Sequence, residues 1–121
     1  MTHCGWSNYE TWAVNLWLGN DAESEQHWRE RARLAFAEAP ESRQVKDWNF
    51  TPAVAARIRL AEELRDAVRG ASPLQEPTLY ADLLAASLGE VDWYEIATDW
   101  LADLTADSHE PGGDGVGEAY D

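Results

Sequence analysis

The sequence predicts a single all-α domain of four to five short helices, followed by a flexible acidic tail. Its apolar residues recur at helical spacing, and no segment shows the alternation typical of strands. Capping residues precede the Ala-rich segments, and Gly or Pro follows them. A chain of 121 residues with 45% hydrophobic residues is enough for one core. The predicted helical domain covers residues 1–106, as a bundle or an orthogonal packing, and the predicted tail covers residues 107–121.

Each predicted helix begins after a residue that can cap it. Ser7 with Glu10 three residues later has the spacing of a capping box, and Asp92 with Glu95 is a carboxylate version of it. Thr51 precedes a proline, which loses no needed N–H at the first helical position. The predicted helices, with their caps, are 8–18 (Ser7), 22–38 (Asp21), 52–69 (Thr51), 79–88 (Thr78) and 93–106 (Asp92), with stops at Gly19, Pro40, Gly70 and Gly89 and a loop at residues 39–50.

The apolar residues of the last four helices fall on one stripe each, and these stripes are predicted to form the core. The residues concerned are Trp28, Ala32, Ala35 and Phe36; Val54, Ile58, Ala61, Leu64 and Val68; Tyr80, Leu83, Leu84 and Leu88; and Trp93, Ile96, Ala97, Trp100 and Leu104. We assign them no chemistry, because such stripes are explained by packing alone.

The first helix has two distinct faces. The broad aromatic face contains Tyr9, Trp12, Ala13, Leu16 and Trp17. The polar seam, which we define as Asn8, Thr11 and Asn15, lies on another face. The seam is either a recognition surface or, as we favour, the buried side of a helix whose amides bond to neighbouring loops. Exposed Trp and Tyr are typical interface anchors.

Two motifs resemble a known protein family. The segments Trp6–Trp12 (WSNYETW) and Val91–Ala97 (VDWYEIA) are similar to the opening and closing motifs of a family of small, mostly uncharacterised proteins of bacteriophages, plasmids and other mobile elements. The resemblance implies a mobile-element setting and brings no catalytic residues. Both motifs fall at capped helix starts, which predicts that the two helices dock together as the framework of the fold.

The charge distribution is one-sided. Residues 71–121 carry twelve carboxylates and no Lys or Arg, whereas the first seventy residues carry nine cations against eleven acids. Such a field repels nucleic acid and anionic membranes and attracts basic surfaces. Adaptation to salt or to solubility is an alternative, although it predicts acids that are spread evenly. The imbalance therefore favours a basic partner.

An acidic stripe lies on the last predicted helix. Glu95, Asp99 and Asp103 recur every four residues, which spaces them about 6 Å apart along a helix. Phosphates of one DNA strand recur at a similar interval. The stripe is either a DNA-like surface or a solvated face whose charge is offset by arginines of another helix, namely Arg57, Arg59 or Arg65. The predicted partner-binding residues are Asp82, Glu90, Asp92, Glu95, Asp99 and Asp103.

The sequence contains no motif for catalysis, a cofactor or a metal. It has no Cys-x-x-Cys or His-x-x-x-His pair, no phosphate-binding loop and no Gly-x-Ser-x-Gly element. The single Cys4 cannot form an internal disulfide, which fits a reducing compartment. No apolar run approaches membrane-spanning length, and no signal peptide is recognisable. These observations predict a protein in the host cytoplasm with no catalytic, cofactor or metal site.

Charge and resemblance together lead to one functional expectation with two alternatives. We expect a non-enzymatic inhibitor from a mobile element that mimics DNA charge and binds the basic surface of a host defence complex of the CRISPR or restriction type. It would bind neither nucleic acid nor membrane directly. The first alternative is an interaction adaptor that uses the aromatic N-terminal helix, and the second is a small enzyme. Salt dependence of binding separates charge from apolar contact.

Overall fold

The protein folds into helices joined by short loops. The computed structural model describes residues 2–109, with the side chains of residues 2–104. Its helices are α1 (Tyr9–Leu18), α2 (Ala22–Glu38), α3 (Arg43–Lys46), α4 (Pro52–Gly70), α5 (Leu79–Gly89) and α6 (Trp93–His109), with a 3₁₀ turn at Ala39–Glu41. No strand occurs in residues 2–109, where one isolated bridge joins His3 and Trp6. The predicted all-α class is confirmed.

Only the first part of the predicted tail falls within the described residues. The helix predicted to end at Ala106 continues to His109. Residues 110–121, which make up most of the predicted tail, lie outside the described part of the chain.

Four of the five predicted N-caps are confirmed. The side chains of Asp21, Thr51, Thr78 and Asp92 accept hydrogen bonds from backbone N–H groups three residues later, at 2.8–3.2 Å. The prediction that Ser7 caps α1 is wrong, because the Asn8 Oδ1 accepts the hydrogen bond from the Thr11 N–H at 2.9 Å. Asn and Ser cap helices about equally well. A tertiary contact anchors the Asn8 side chain, whose Nδ2 donates to the carbonyl oxygen of Glu90 at 2.7 Å. The Ser7 N–H, which the capping box would give to Glu10, donates to the Glu95 carboxylate at 3.1 Å.

The core lies where α2, α4 and α6 pack against one another. Leu60 and Leu64 of α4 and Ile96 of α6 are its largest fully buried apolar side chains. Around them, small Ala side chains allow the three helices to approach closely. The buried apolar set is Leu18, Trp28, Ala32, Ala35, Ala39, Ala55, Ala56, Leu60, Leu64, Val91, Ile96, Ala97 and Leu101.

The predicted stripe of α4 is displaced around the helix. Leu64 is buried as predicted, but Val54 and Ile58 are only half-buried. The buried residues that the prediction missed are Ala55, Ala56 and Leu60, because α4 is packed between α2 and α6. The predicted Ala61 and Val68 are half-buried and pack against the core.

The predicted core role of α5 is wrong for half of its stripe. No residue of α5 is buried, and Tyr80 and Leu83 are 69% and 57% exposed. Leu84 and Leu88 are half-buried and line an apolar groove with residues of α2 and α4. Only one edge of α5 therefore reaches the rest of the domain.

Candidate functional site: a groove between α1 and α6

The polar seam of α1 faces the interior and ties α1 to the α5–α6 region. Thr11 is completely buried, and its Oγ1 accepts a hydrogen bond from the Asp92 N–H at 2.8 Å. The Asn8 Nδ2 donates to the carbonyl oxygen of Glu90 at 2.7 Å, and the Trp100 Nε1 donates to the Asn15 Oδ1 at 3.0 Å. The favoured interpretation of the seam is confirmed: these side chains satisfy structural hydrogen bonds.

These bonds also confirm that the two sequence motifs dock together. They join the first motif to Glu90, Asp92 and Glu95 at the start of α6. The expectation that this pair forms the framework of the fold is wrong, however, because the core is built from α2, α4 and α6. Helix α1 joins that core at its edge, through the buried Leu18 and the half-buried Val14 as well as through the hydrogen bonds of its polar seam.

The aromatic side of α1 faces outward. Trp17 is 69% exposed and Tyr9 is 58% exposed. Trp12 is half-buried, and its ring lies edge-on to the ring of His3, with centroids 4.6 Å apart. The His3 ring also contacts Tyr9, with centroids 5.3 Å apart. The N-terminal segment therefore folds back over the first turn of α1 and holds the Trp12 ring in place.

A groove of about 840 Å³ runs between the N-terminal segment with α1 on one side and α6 on the other. We call it the α1–α6 groove. Its apolar wall includes Trp6, Trp12, Leu16 and Tyr94. Asp92, Glu95 and Asp99 bring carboxylates to the same space. None of the described residues that line it is Lys or Arg, so the groove combines aromatic surface with negative charge.

The structure divides the six predicted partner-binding residues into two groups. Asp92, Glu95 and Asp99 line the α1–α6 groove. Asp103 lies one turn further along α6, Asp82 lies on α5, and Glu90 caps the C-terminus of α5. Two of the groove acids also have structural roles, because Asp92 caps α6 and Glu95 accepts the Ser7 N–H. Three of the six predicted residues thus line the groove, and the other three lie outside its lining.

Two of the three arginines expected to offset the acidic stripe bind elsewhere. Arg59 binds Glu38 at 2.6 Å and Glu63 at 3.0 Å, and Arg65 binds Asp66 at 3.0 Å. Arg57 lies nearer to the stripe, because it borders a small cavity whose lining shares Thr98 and Ala102 with the α1–α6 groove. The remaining ion pairs between described residues are Arg29–Glu25, Arg29–Asp103, Arg31–Glu63, Arg33–Glu30, Arg43–Asp47 and Lys46–Glu41.

Arg29, which was not among the three predicted arginines, reaches the far end of the stripe. The Arg29 Nη1 lies 3.9 Å from the Asp103 Oδ2, at the limit of an ion pair, and Asp103 is highly exposed. The same guanidinium binds Glu25 more closely, at 2.7 Å. Exposed pairs of this kind contribute little energy. The far end of the stripe is therefore weakly compensated.

The acids between α2 and α4 have a different environment. Arg31 binds Glu63 through two hydrogen bonds of 2.8 and 3.1 Å, and Arg59 links Glu63 to Glu38. We call these four residues the α2–α4 network. Burial raises the pKa of the Glu63 carboxyl, but the hydrogen bonds from Arg31 and Arg59 outweigh it and hold the pKa below its ordinary value. The hydrogen bond to Glu63 raises the pKa of Arg31 in return.

The groove was missed in the sequence because it depends on how α1 is placed against α6. A signal was present, however: each motif combines aromatic with polar residues, and the two motifs supply Trp6, Ser7, Trp12, Asp92, Tyr94 and Glu95 to the groove lining. Residues that are unusual in composition and distant in sequence meet in one place. The two motifs therefore contact each other and also line the same groove.

Comparison with family models, curated proteins and solved structures finds no match to this chain. Across residues 2–109, no helix has both the length and the apolar character needed to cross a membrane. Within the same range, His, Cys, Asp and Glu side chains form no group of three that could hold a metal ion.

Proposed function

We propose that this protein is a non-enzymatic inhibitor that binds the basic, nucleic-acid-binding surface of a host defence complex through the α1–α6 groove. The observation that carries the proposal is the groove lining, in which Asp92, Glu95 and Asp99 lie beside aromatic residues. A surface rich in carboxylates attracts a basic surface and repels nucleic acid.

The mechanism is competition for cations that would otherwise bind phosphate. Glu95, Asp99 and Asp103 follow one another along α6 at intervals of about 6 Å. Electrostatic attraction speeds the encounter and makes it sensitive to salt. Apolar contacts with Trp12 and Leu16 then add affinity that salt does not screen. The groove acids form the centre of the contact, and Asp103, Glu90 and Asp82 form its rim.

The target class rests on the sequence motifs. Resemblance of Trp6–Trp12 and Val91–Ala97 to motifs of mobile-element proteins supports a gene product that acts against host defence. CRISPR effectors and restriction enzymes both present Lys- and Arg-lined channels to nucleic acid. The proposal therefore assigns the protein to the anti-CRISPR or anti-restriction type.

A phage-plating assay tests the proposal. The protein would be expressed in a panel of bacterial strains that each carry one CRISPR or restriction system, and plating of a restricted phage would be measured. We expect the parent protein to restore plating in at least one strain and the triple variant Glu95→Gln, Asp99→Asn, Asp103→Asn to lose that effect. Gln at position 95 retains an oxygen that can accept the Ser7 N–H.

A matched variant controls for net charge. Glu23→Gln, Glu62→Gln and Glu76→Gln remove the same charge from exposed positions outside the groove, and this variant should still restore plating. Thermal unfolding of all three proteins checks that each is folded. Equal protection by the parent and the groove triple, or no protection by the parent in any strain, contradicts the proposal.

A second candidate is an adaptor that binds through the aromatic side of α1. The exposure of Trp17 and Tyr9, neither of which lines the groove, favours it. Binding through these residues would change little with salt, because apolar contacts are not screened. Trp17→Ala should abolish partner binding if this candidate is correct, and should leave binding unchanged if the groove acids are the contact.

A further inference from the structure

We propose that the α1–α6 groove selects arginine over lysine, because it is built to receive a guanidinium group of the partner. This inference rests on the proposed function and specifies its chemistry. Two features of the groove carry it: an aromatic wall, and the Glu95 carboxylate that borders the same space.

The aromatic wall distinguishes the two cations. Trp6, Trp12 and Tyr94 all border the groove, and Tyr94 is 40% exposed. A planar guanidinium stacks on aromatic faces and is weakly hydrated, so it enters such a wall at little desolvation cost. The ammonium group of lysine is compact and strongly hydrated. A groove that held only carboxylates on an exposed helix would not distinguish arginine from lysine in this way.

The carboxylates supply the complementary contact. Glu95 is half-buried, and one of its oxygens accepts the Ser7 N–H at 3.1 Å. A carboxylate has acceptor sites on both oxygens, so this bond fixes its orientation and leaves acceptor capacity for a guanidinium. A carboxylate held in place loses less conformational entropy when it binds.

The aromatic side is held in place as well. The Trp12 ring packs against His3, and α1 is joined to α6 by the buried Thr11 and by Asn15. The two walls of the groove are therefore connected by hydrogen bonds rather than by a flexible hinge. The volume of about 840 Å³ exceeds that of one side chain, so a short arginine-containing segment fits the space.

Calorimetry on the full chain tests the inference with two probe peptides. The probes are Ac-Gly-Arg-Gly-Arg-Gly-NH₂ and its lysine counterpart, which carry equal charge. We expect the arginine peptide to bind the parent about two- to fivefold more tightly than the lysine peptide at low salt, which is the range of an exposed cation–π contact. Tyr94→Leu should reduce this preference, because it removes one ring of the wall, whereas Tyr94→Phe, which keeps the ring, should retain it in full.

The α5 residue Tyr80 provides the matched control. It is an exposed tyrosine outside the groove, so Tyr80→Leu should leave both affinities unchanged. Equal affinity of the two peptides for the parent, a preference that Tyr94→Leu leaves unchanged, or no detectable binding of the arginine peptide each overturns the inference. If both peptides bind equally and both are lost in the triple variant Glu95→Gln, Asp99→Asn, Asp103→Asn, the inference fails while the proposed function stands. Undiminished binding to that triple variant contradicts the proposed function itself.

Discussion

The α2–α4 network and the α1–α6 groove each contain a glutamate, but the two glutamates have different surroundings. In the network, the negative charge of Glu63 is paired with Arg31 and Arg59 of the same chain. In the groove, Glu95 accepts one backbone hydrogen bond and faces aromatic residues. The comparison teaches that the number of acids does not locate a binding surface. The arrangement of cations in the folded chain decides which acids are available to a partner.

The two regions also differ in how they are assembled. Charge pairs join α2 to α4, whereas neutral side chains such as Thr11, Asn8 and Asn15 join α1 to α6. These hydrogen bonds hold the groove together with neutral side chains. The polar seam of α1 therefore joins the two walls of the groove without adding charge to it.

The largest expected effect is on the junction that holds the groove. Thr11→Val keeps the shape of the side chain but leaves the Asp92 N–H without its buried acceptor. We expect the free energy of unfolding to fall by about 1–3 kcal/mol, the cost of an unsatisfied buried donor. Urea denaturation measures this change. A loss below about 0.3 kcal/mol would mean that α1 is held by other contacts.

The next prediction compares the two kinds of carboxylate through pH. Glu63→Gln should lower the free energy of unfolding by about 1–2 kcal/mol at pH 7, because hydrogen bonds to charged groups are stronger than neutral ones and Glu63 is only partly exposed. Glu95→Gln should change it by less than about 0.5 kcal/mol. Denaturation of both variants and the parent at several pH values gives the comparison.

The sign of the pH dependence follows from the lowered pKa of Glu63. Its contribution to stability is fully present above its ordinary pKa of 4.5 and is lost as the pH falls through the lower value of the folded state. The difference between parent and Glu63→Gln should therefore disappear in acid. A difference that stays constant from pH 7 to acid pH would show that packing, rather than charge pairing, explains the effect.

Helix ranges and most caps could be predicted from the sequence because they depend on neighbouring residues. Asp21, Thr51 and Thr78 each bond a backbone group three positions away, so local sequence was sufficient. The prediction of Ser7 as the cap of α1 was wrong: Asn8 caps the helix, and its Nδ2 also donates to the carbonyl oxygen of the distant Glu90. Local sequence does not show such a tertiary contact.

Tertiary placement explains what could not be predicted. Periodicity identified an apolar side of α5 but not that Tyr80 and Leu83 remain exposed. The acids of the site were identified from charge alone, which placed Asp82 and Asp92 in one set although only Asp92 lines the groove. The approach of Arg29 to Asp103 depends on the packing of α2 near α6, which the sequence does not show.

The smallest expected effect concerns Arg29, which lies near the end of the stripe. Arg29→Gln removes a 3.9 Å contact with Asp103 and should change stability by less than about 0.5 kcal/mol. It should also raise the affinity for a cationic peptide by up to about twofold, because Asp103 is then less compensated. Arg65→Gln is the matched control, since Arg65 binds Asp66 on α4. An equal increase for both variants would indicate net charge instead of position.

The central claim is that a basic ligand binds in the α1–α6 groove and not over the other acidic surfaces. A titration of the ¹⁵N-labelled full chain with the arginine peptide tests it most directly, through changes in chemical shift at backbone amides and tryptophan indoles. The account predicts that the largest changes occur at the Trp12 indole and at the amides of Tyr94, Glu95 and Thr98, which line the groove. Largest changes at Glu23 or Glu62, or changes of similar size over every acidic surface, would contradict it.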